Sequence, residues 1–350
     1  MADSTWGVND PLAVKLFSKR LIREALKATF ANQFMGESQD DLIQEKPETS
    51  KGAGDKVTFG LRMQLTGDGV SGDGTLEGNE EALVTYSDAI TINQLRHAVR
   101  SSGKMSEQRV PFSVREEAMS GLRDWWAARI DTWFANQIAG YTVQTDTRYT
   151  GMIATIAPTT AQLLIQGETT ESALISTDTA TLGLIDRAVA TAKTLTPVIR
   201  PLMVSGKPMY VAFFHPYQVR SLRTSTSTGQ WLDIQKAAMQ GGQVDDNPIF
   251  TGALGIYNNV ILHEWTRLPA AVNAGAAMAN TKRAVFCGAQ AAVYATGQGN
   301  STDQPNWYEQ LFDYGNKLGV AGGMIAALKK TVFNSADFGT IVMSSYAAAP

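Results

Sequence analysis

Two runs of period-two hydrophobic alternation, separated by the sixteen residues Thr66 to Glu81, constrain this chain more than any other feature. In KVTFGLRMQL, Val57, Phe59, Leu61, Met63 and Leu65 share one face and Thr58, Arg62 and Gln64 the other, the pattern of a half-buried strand. EEALVTYSDAITINQ repeats that period with Ala82, Val84, Tyr86, Ile90 and Ile92. The intervening TGDGVSGDGTLEGNEE is too rich in glycine and acid to continue either strand. The spacing predicts a long β-hairpin with an extended tip.

The tip contains GDGVSG, a formal match to the G-x-G-x-x-G dinucleotide fingerprint. That fingerprint works only where a buried strand leads into the glycines and a helix opens at once after them, because the helix N-terminus holds the pyrophosphate. No helix opens here. A calcium loop needs oxygen ligands at alternate positions and a bidentate Glu at the twelfth, and glycines occupy several of those places. The tip reads instead as a flexible loop in which glycine reaches unusual backbone angles.

At 350 residues the chain has room for roughly two domains. Its 18% charged residues and net charge of -3 give no electrostatic reason to expect tight duplex binding, which normally needs a basic face, although a neutral wall can still enclose nucleic acid. The single Cys287 forms no internal disulfide, and with His97, His215 and His263 it shows no zinc spacing. Cys287 sits in the apolar run AVFCGAQAAV and is expected to be buried and inert. The N-terminal stretch lacks the apolar core of a signal peptide, and no run reaches the ~18 apolar residues of a membrane span. A reducing cytoplasm and no membrane are the expectation.

Asp10-Pro11 is a helix start, followed by an apolar stripe (Ala13, Phe17, Leu21, Ala25, Phe30) and a basic one (Lys15, Lys19, Arg23). The basic stripe is either a solvated face or one that meets nucleic acid or an acidic partner. Residues 35–55 carry no period and read as an extended linker. After Pro111, apolar residues at 114, 118, 119, 122, 125, 126, 130, 133, 134 and 138 predict one helix about 40 Å long. Its adjacent Trp125 and Trp126 point about 100° apart, so one is expected in the core and one against another chain. Residues 141–181 are Thr-rich and irregular and read as a surface insertion. From 182 onward, LIDRAVATAKTL and PYQVRSLR read as helices, and PMYVAFF, GALGIYNNVILHE and KRAVFCGAQAAVYATG as strands. The tail after Trp307 adds further strands divided by Asn, Asp and Gly turns.

Nothing compels catalysis. His215 precedes Pro216 after a buried strand, where either an active-site role or a capping role is chemically sensible, and capping is the simpler reading. His263-Glu264 opens no HExxH motif, and GVSGD fails as a G-x-S-x-G elbow. Asp245-Asp246 lie in a polar loop without the separate environments that paired acid and base work needs.

The assembled order, an arm, a hairpin, one long helix, an α/β module and returning strands, resembles the Hong Kong 97-type major capsid proteins of tailed bacteriophages. The motifs LEGNEEALVTYSDAITINQLRHAV, FFHPYQVRSLR, GALGIYNNVILHE and WYEQLFDYGNKLGVAGGMIAALKKTVFNSADFG are similar to the branch that includes the major capsid protein of podophage N-four, over about residues 55–345. The resemblance implies an α+β fold with an N-terminal arm (1–55), an E-loop hairpin (56–110), a spine helix and P-domain (111–181), an A-domain (182–305) and returning P-domain strands (306–350). It implies a structural protein without cofactor or catalysis, self-assembling through pentamers and hexamers into an icosahedral head around double-stranded DNA. Gly67, Asp68, Gly69, Gly72, Asp73 and Gly74 become the tip that laps a neighbouring subunit, and Lys15, Lys19 and Arg23 candidates to face DNA or a scaffold. Scaffold, portal and decoration or cement proteins are further implied partners, with assembly in the host bacterial cytoplasm. Some relatives cross-link through a Lys on this loop; Thr66 to Glu81 contains none, so no such bond is expected.

Overall fold

The computed structural model describes residues 30–46, 54–109, 113–204, 206–224, 253–271, 280–297 and 306–349. Its strands in chain order are β1 (Met35–Gly36), β2 (Ile43–Lys46), β3 (Lys56–Arg62), β4 (Thr85–Thr91), β5 (Asn93–Arg100), β6 (Leu163–Ile165), β7 (Leu202–Val204), β8 (Lys207–Phe214) and β9 (Ala253–Tyr257). They continue as β10 (Val260–Glu264), β11 (Thr281–Cys287), β12 (Ala292–Thr296), β13 (Asn306–Phe312), β14 (Lys317–Lys330), β15 (Val332–Phe333), β16 (Ala336–Asp337) and β17 (Thr340–Tyr346). The helices are α1 (Lys104–Gln108), α2 (Val114–Ile138), α3 (Leu182–Thr194) and α4 (Pro216–Thr224).

Helix α2 forms where the 3.6-residue pattern places it. At its end Gly140 adopts φ +59°, the Tyr141 N–H donates to the Asn136 carbonyl and the Gly140 N–H to the Gln137 carbonyl. This Schellman arrangement closes the helix, and a Cβ at Gly140 would lie 2.8 Å from the Ile156 carbonyl oxygen.

Two mixed sheets flank α2. The first runs β1-β2-β12-β14-β13, with β5 also paired to β14; the second runs β6-β17-β11-β8-β10-β9, with β7 paired to β8. Alternation along β8 explains the layering. Val211 and Phe213 enter one core with Trp126, Trp133, Phe134 and Ile138 of α2 and with Tyr294 and Leu328 of the first sheet. Tyr210, Ala212 and Phe214 face the opposite way, onto Leu184, Ile185 and Ala188 of α3 and Val219 and Leu222 of α4. The β9–β10 hairpin turns through Asn258 and Asn259, both at positive φ, as a two-residue turn requires.

Two segments differ from their sequence reading. Residues 35–46 are not linker: Leu42 and Ile43 are buried, and β2 pairs in parallel with β12. A four-residue strand is too short to show a period. The Thr-rich segment is irregular but not confined to the surface, since Thr150, Gln162 and Glu171 are buried and β6 pairs with β17. Its buried groups are polar, so hydrophobic patterning is blind to them. Arg283 on β11 donates to Glu171 Oε1 at 2.7 Å and Oε2 at 2.8 Å, and its Nη1 reaches the Ala139 and Gly140 carbonyls at 2.9 Å. That guanidinium ties the segment to the end of α2.

Candidate assembly surface

Strands β3 and β4 pair from Lys56↔Thr91 to Arg62↔Thr85, and the Met63 N–H to Val84 carbonyl bond extends the ladder once more. At the root, Val57 and Ile90 pack with Val293, Ala295 and Ala327, and Phe59 meets Phe333 edge-on at 5.8 Å. Lys329 Nζ pairs with the Asp88 carboxylate and donates to the Ala89 carbonyl at 3.0 Å, while the Val332 N–H donates to Asp88 Oδ2 at 3.1 Å. Burial then fades along the same alternating face: Val57 is buried, Phe59 and Leu61 are half-buried, and Leu65 is exposed. The hairpin is rooted in the first sheet and leaves it before its apolar face ends.

Gly67, Asp68, Gly69, Gly72, Asp73 and Gly74 all lie in the exposed tip, as read. Gly69 (φ +71°) and Gly72 (φ +62°) occupy the left-handed region. The loop nevertheless has internal order that the sequence reading missed. The Glu81 carboxylate accepts from the Thr66 N–H (2.8 Å) and the Gly67 N–H (2.7 Å), which holds its proton affinity below the ordinary glutamate range. Glu80 accepts from the Gly78 N–H at 2.7 Å. For the Glu81 clasp the signal was present only as an acid placed fifteen and fourteen residues from its partners, a spacing with no local motif. Exposed Leu76 and Leu83 flank this clasp at 62% and 60% exposure.

The candidate chemical residues are placed differently. His215 is buried, and its Nδ1 accepts from the Tyr217 N–H at 3.2 Å, the capping role. Burial and the nearby Lys282 push it down to about 4, and burial alone does the same to His263. Cys287 is fully buried and its thiol pushed up by that burial. Trp126 lies in the core, whereas the half-buried Trp125 stacks on His97 at 4.6 Å with the Arg129 guanidinium 4.8 Å from its ring. Among the described residues no cluster of three or more His, Cys, Asp or Glu is placed to hold a metal, and no helix is long and apolar enough to cross a membrane. Lys15, Lys19, Arg23, Asp245 and Asp246 lie outside the described residues.

This arrangement of two sheets, a bracing helix and a projecting hairpin is shared with known shells. The capsid of Ralstonia phage GP4 superposes with a TM-score of 0.79 at 34% identity, covering 100% of this chain and 96% of that one. The capsid asymmetric unit of cyanophage Pam1, at 20% identity, reaches 0.73 over 93% and 94%. The fold is that of a Hong Kong 97-type capsid subunit. A major capsid protein of Pseudomonas phage KPP25 is 28% identical over 93% of each chain, and the family described as "Phage capsid protein" matches residues 5–349. The chain belongs to that family: it is a structural protein of the tailed-phage head, and it associates with copies of itself into the shell.

Proposed function

We propose that this subunit closes an icosahedral head around double-stranded DNA through pentamers and hexamers, the E-loop of each copy lapping its neighbour. The observation that carries this reading is the hairpin: anchored at its root by buried apolar side chains and the Lys329–Asp88 pair, it presents exposed Leu76 and Leu83 at a tip with nothing of its own to cover them. Many interfaces of ordinary size, ~800 Å² per partner, sum to a stable shell. The divisions 1–55, 56–110, 111–181, 182–305 and 306–350 are the functional units of this reading, and placement in the podophage N-four branch rests on the four quoted motifs. Assembly takes place in the host cytoplasm, with scaffold, portal and decoration or cement proteins as partners. The subunit contacts DNA without reading its sequence, Lys15, Lys19 and Arg23 supplying positive charge, and performs no catalysis. Shell contacts at the tip are non-covalent.

Expression of the chain alone, followed by light scattering and negative-stain microscopy, tests the reading. Closed shells or rings of five or six subunits are expected, alone or after a scaffold from the same phage is added. A monomer or dimer that no scaffold converts would overturn it.

A further inference from the structure

The tip carries five carboxylates, Asp68, Asp73, Glu77, Glu80 and Glu81, and neither Lys nor Arg, between Thr66 and Glu81. Glu80 and Glu81 are spent inside the loop, which leaves Asp68, Asp73 and Glu77 exposed among apolar neighbours. A complementary surface would be basic, flat and aromatic.

The first sheet has such a face at its other end. In β13, Trp307 and Glu309 turn toward α2, where Glu309 meets Arg115, so Tyr308 and Phe312 turn away from the helix. The register sets Phe312 opposite Lys317 in β14, and Arg96 and Arg100 of β5 opposite Gly323 and Gly319. His97, next after Arg96, stacks on Trp125 of α2, which by strand alternation places Arg96 and Arg100 together on the outer face. The bare glycines let long side chains lie flat. Arg96 Cγ occupies the space 2.7 Å from where a Gly323 Cβ would sit, and Phe312 covers Gly319 at the same distance. The Arg100 guanidinium stands 5.5 Å from the centre of the Phe312 ring. Tyr308 and Phe312 are 48% and 36% exposed. The acid at this end, Asp313, already lies 3.8 Å from Lys317.

A subunit cannot satisfy itself. From the tip, β4 passes Lys329 at Asp88 and joins Ala327 at Ile90, and β5 then runs on to Gly319 at Arg100. Along β14 the root at Lys329 is thus six residues from Arg96, at Gly323, and ten from Arg100, at Gly319, or ~20 to ~33 Å, with the tip projecting the opposite way. Complementary surfaces at opposite ends of one chain make a head-to-tail contact, which closes into rings or shells.

We propose that Asp68, Asp73 and Glu77 of one copy dock on the Arg96–Arg100–Lys317 face of a second copy, with the exposed apolar residues of the tip covering Tyr308 and Phe312. This rests on the shell-forming role above and specifies its chemistry: an ionic and cation–aromatic latch, weakened by salt.

Two charge-reversed full-length chains test it, Asp68→Lys/Asp73→Lys/Glu77→Lys and Arg96→Glu/Arg100→Glu, all at exposed positions, with circular dichroism of each used to check that the fold is kept. Each alone is expected to lower the assembled fraction about tenfold or more, and a chain carrying both sets of reversals to restore assembly, because each tip then meets a face of opposite charge in rings of five and of six alike. Wild-type shells accompanied by normal assembly of either singly reversed chain, or no rescue in the doubly reversed one, would overturn the latch while leaving the shell function standing. If the wild-type chain closes no shell, the shell function fails separately. The latch is then read by sedimentation velocity: association of the doubly reversed chain and of neither singly reversed one supports it, and its absence there refutes it.

Discussion

At the scale of single residues, stability rests on a few buried charges whose partners are far apart in the chain. Arg283 and Glu171 are 3% and 4% exposed at the side chain, so removing one leaves the other charged and desolvated. Arg283→Met is expected to destabilise the subunit by about 3–5 kcal/mol in urea unfolding, and Arg283→Met with Glu171→Leu by clearly less, since the pair's desolvation is then removed together. A double variant as unstable as the single one would show that packing, not charge, is at stake. The buried histidines make a second test. His215 and His263 sit at about 4 when folded and near 6.5 when unfolded, so between those values the unfolded chain binds more protons. Stability is therefore complete above pH ~6.5 and falls as pH drops toward 4, by up to about 1.4 kcal/mol per pH unit for each histidine. Asp131, whose carboxyl burial raises, acts in the opposite sense at the acid end. Urea midpoints at neutral pH and in the acid range measure the slope; a flat profile down to pH ~4.5 would contradict the burial of these rings.

At the scale of elements, the β3–β4 hairpin combines a rigid root with a shaped tip. Glu81 closes the neck of the tip through the Thr66 and Gly67 N–H groups, outside any core. Glu81→Ala is therefore expected to leave the melting temperature of the free subunit unchanged and to slow shell formation, because a looser tip has more conformations to lose on docking. Equal assembly kinetics by light scattering would assign the clasp no part in assembly. Helix α2 and the β3–β4 hairpin were legible in the sequence, each being long enough to display its period. Strand β2 and the Glu171 segment were not, the first for want of length and the second because its contribution is polar and its partner lies 112 residues away.

At the scale of the whole molecule, the unpartnered surfaces mean that subunit and shell differ in stability. Assembly adds interfaces to the folded state that the unfolded chain cannot make, so shells are expected to melt about 5 °C or more above free subunits, with a concentration-dependent midpoint near the assembly threshold. Scanning calorimetry of both forms measures it, and coincident transitions would mean that the contacts contribute little. Chain order and strand period by themselves determined the hairpin, the long helix, the α/β alternation and the family likeness, because those signals are local. Only the tertiary structure decided which strands pair: the terminal β17 lies between β6 and β11, and β12, close after β11 in the chain, belongs to the other sheet. It also decided that Arg96, Arg100 and Phe312 share one face. Pairing and face are set by long-range burial and backbone hydrogen bonding, in which a strand's pattern shows that it has a partner and not which one.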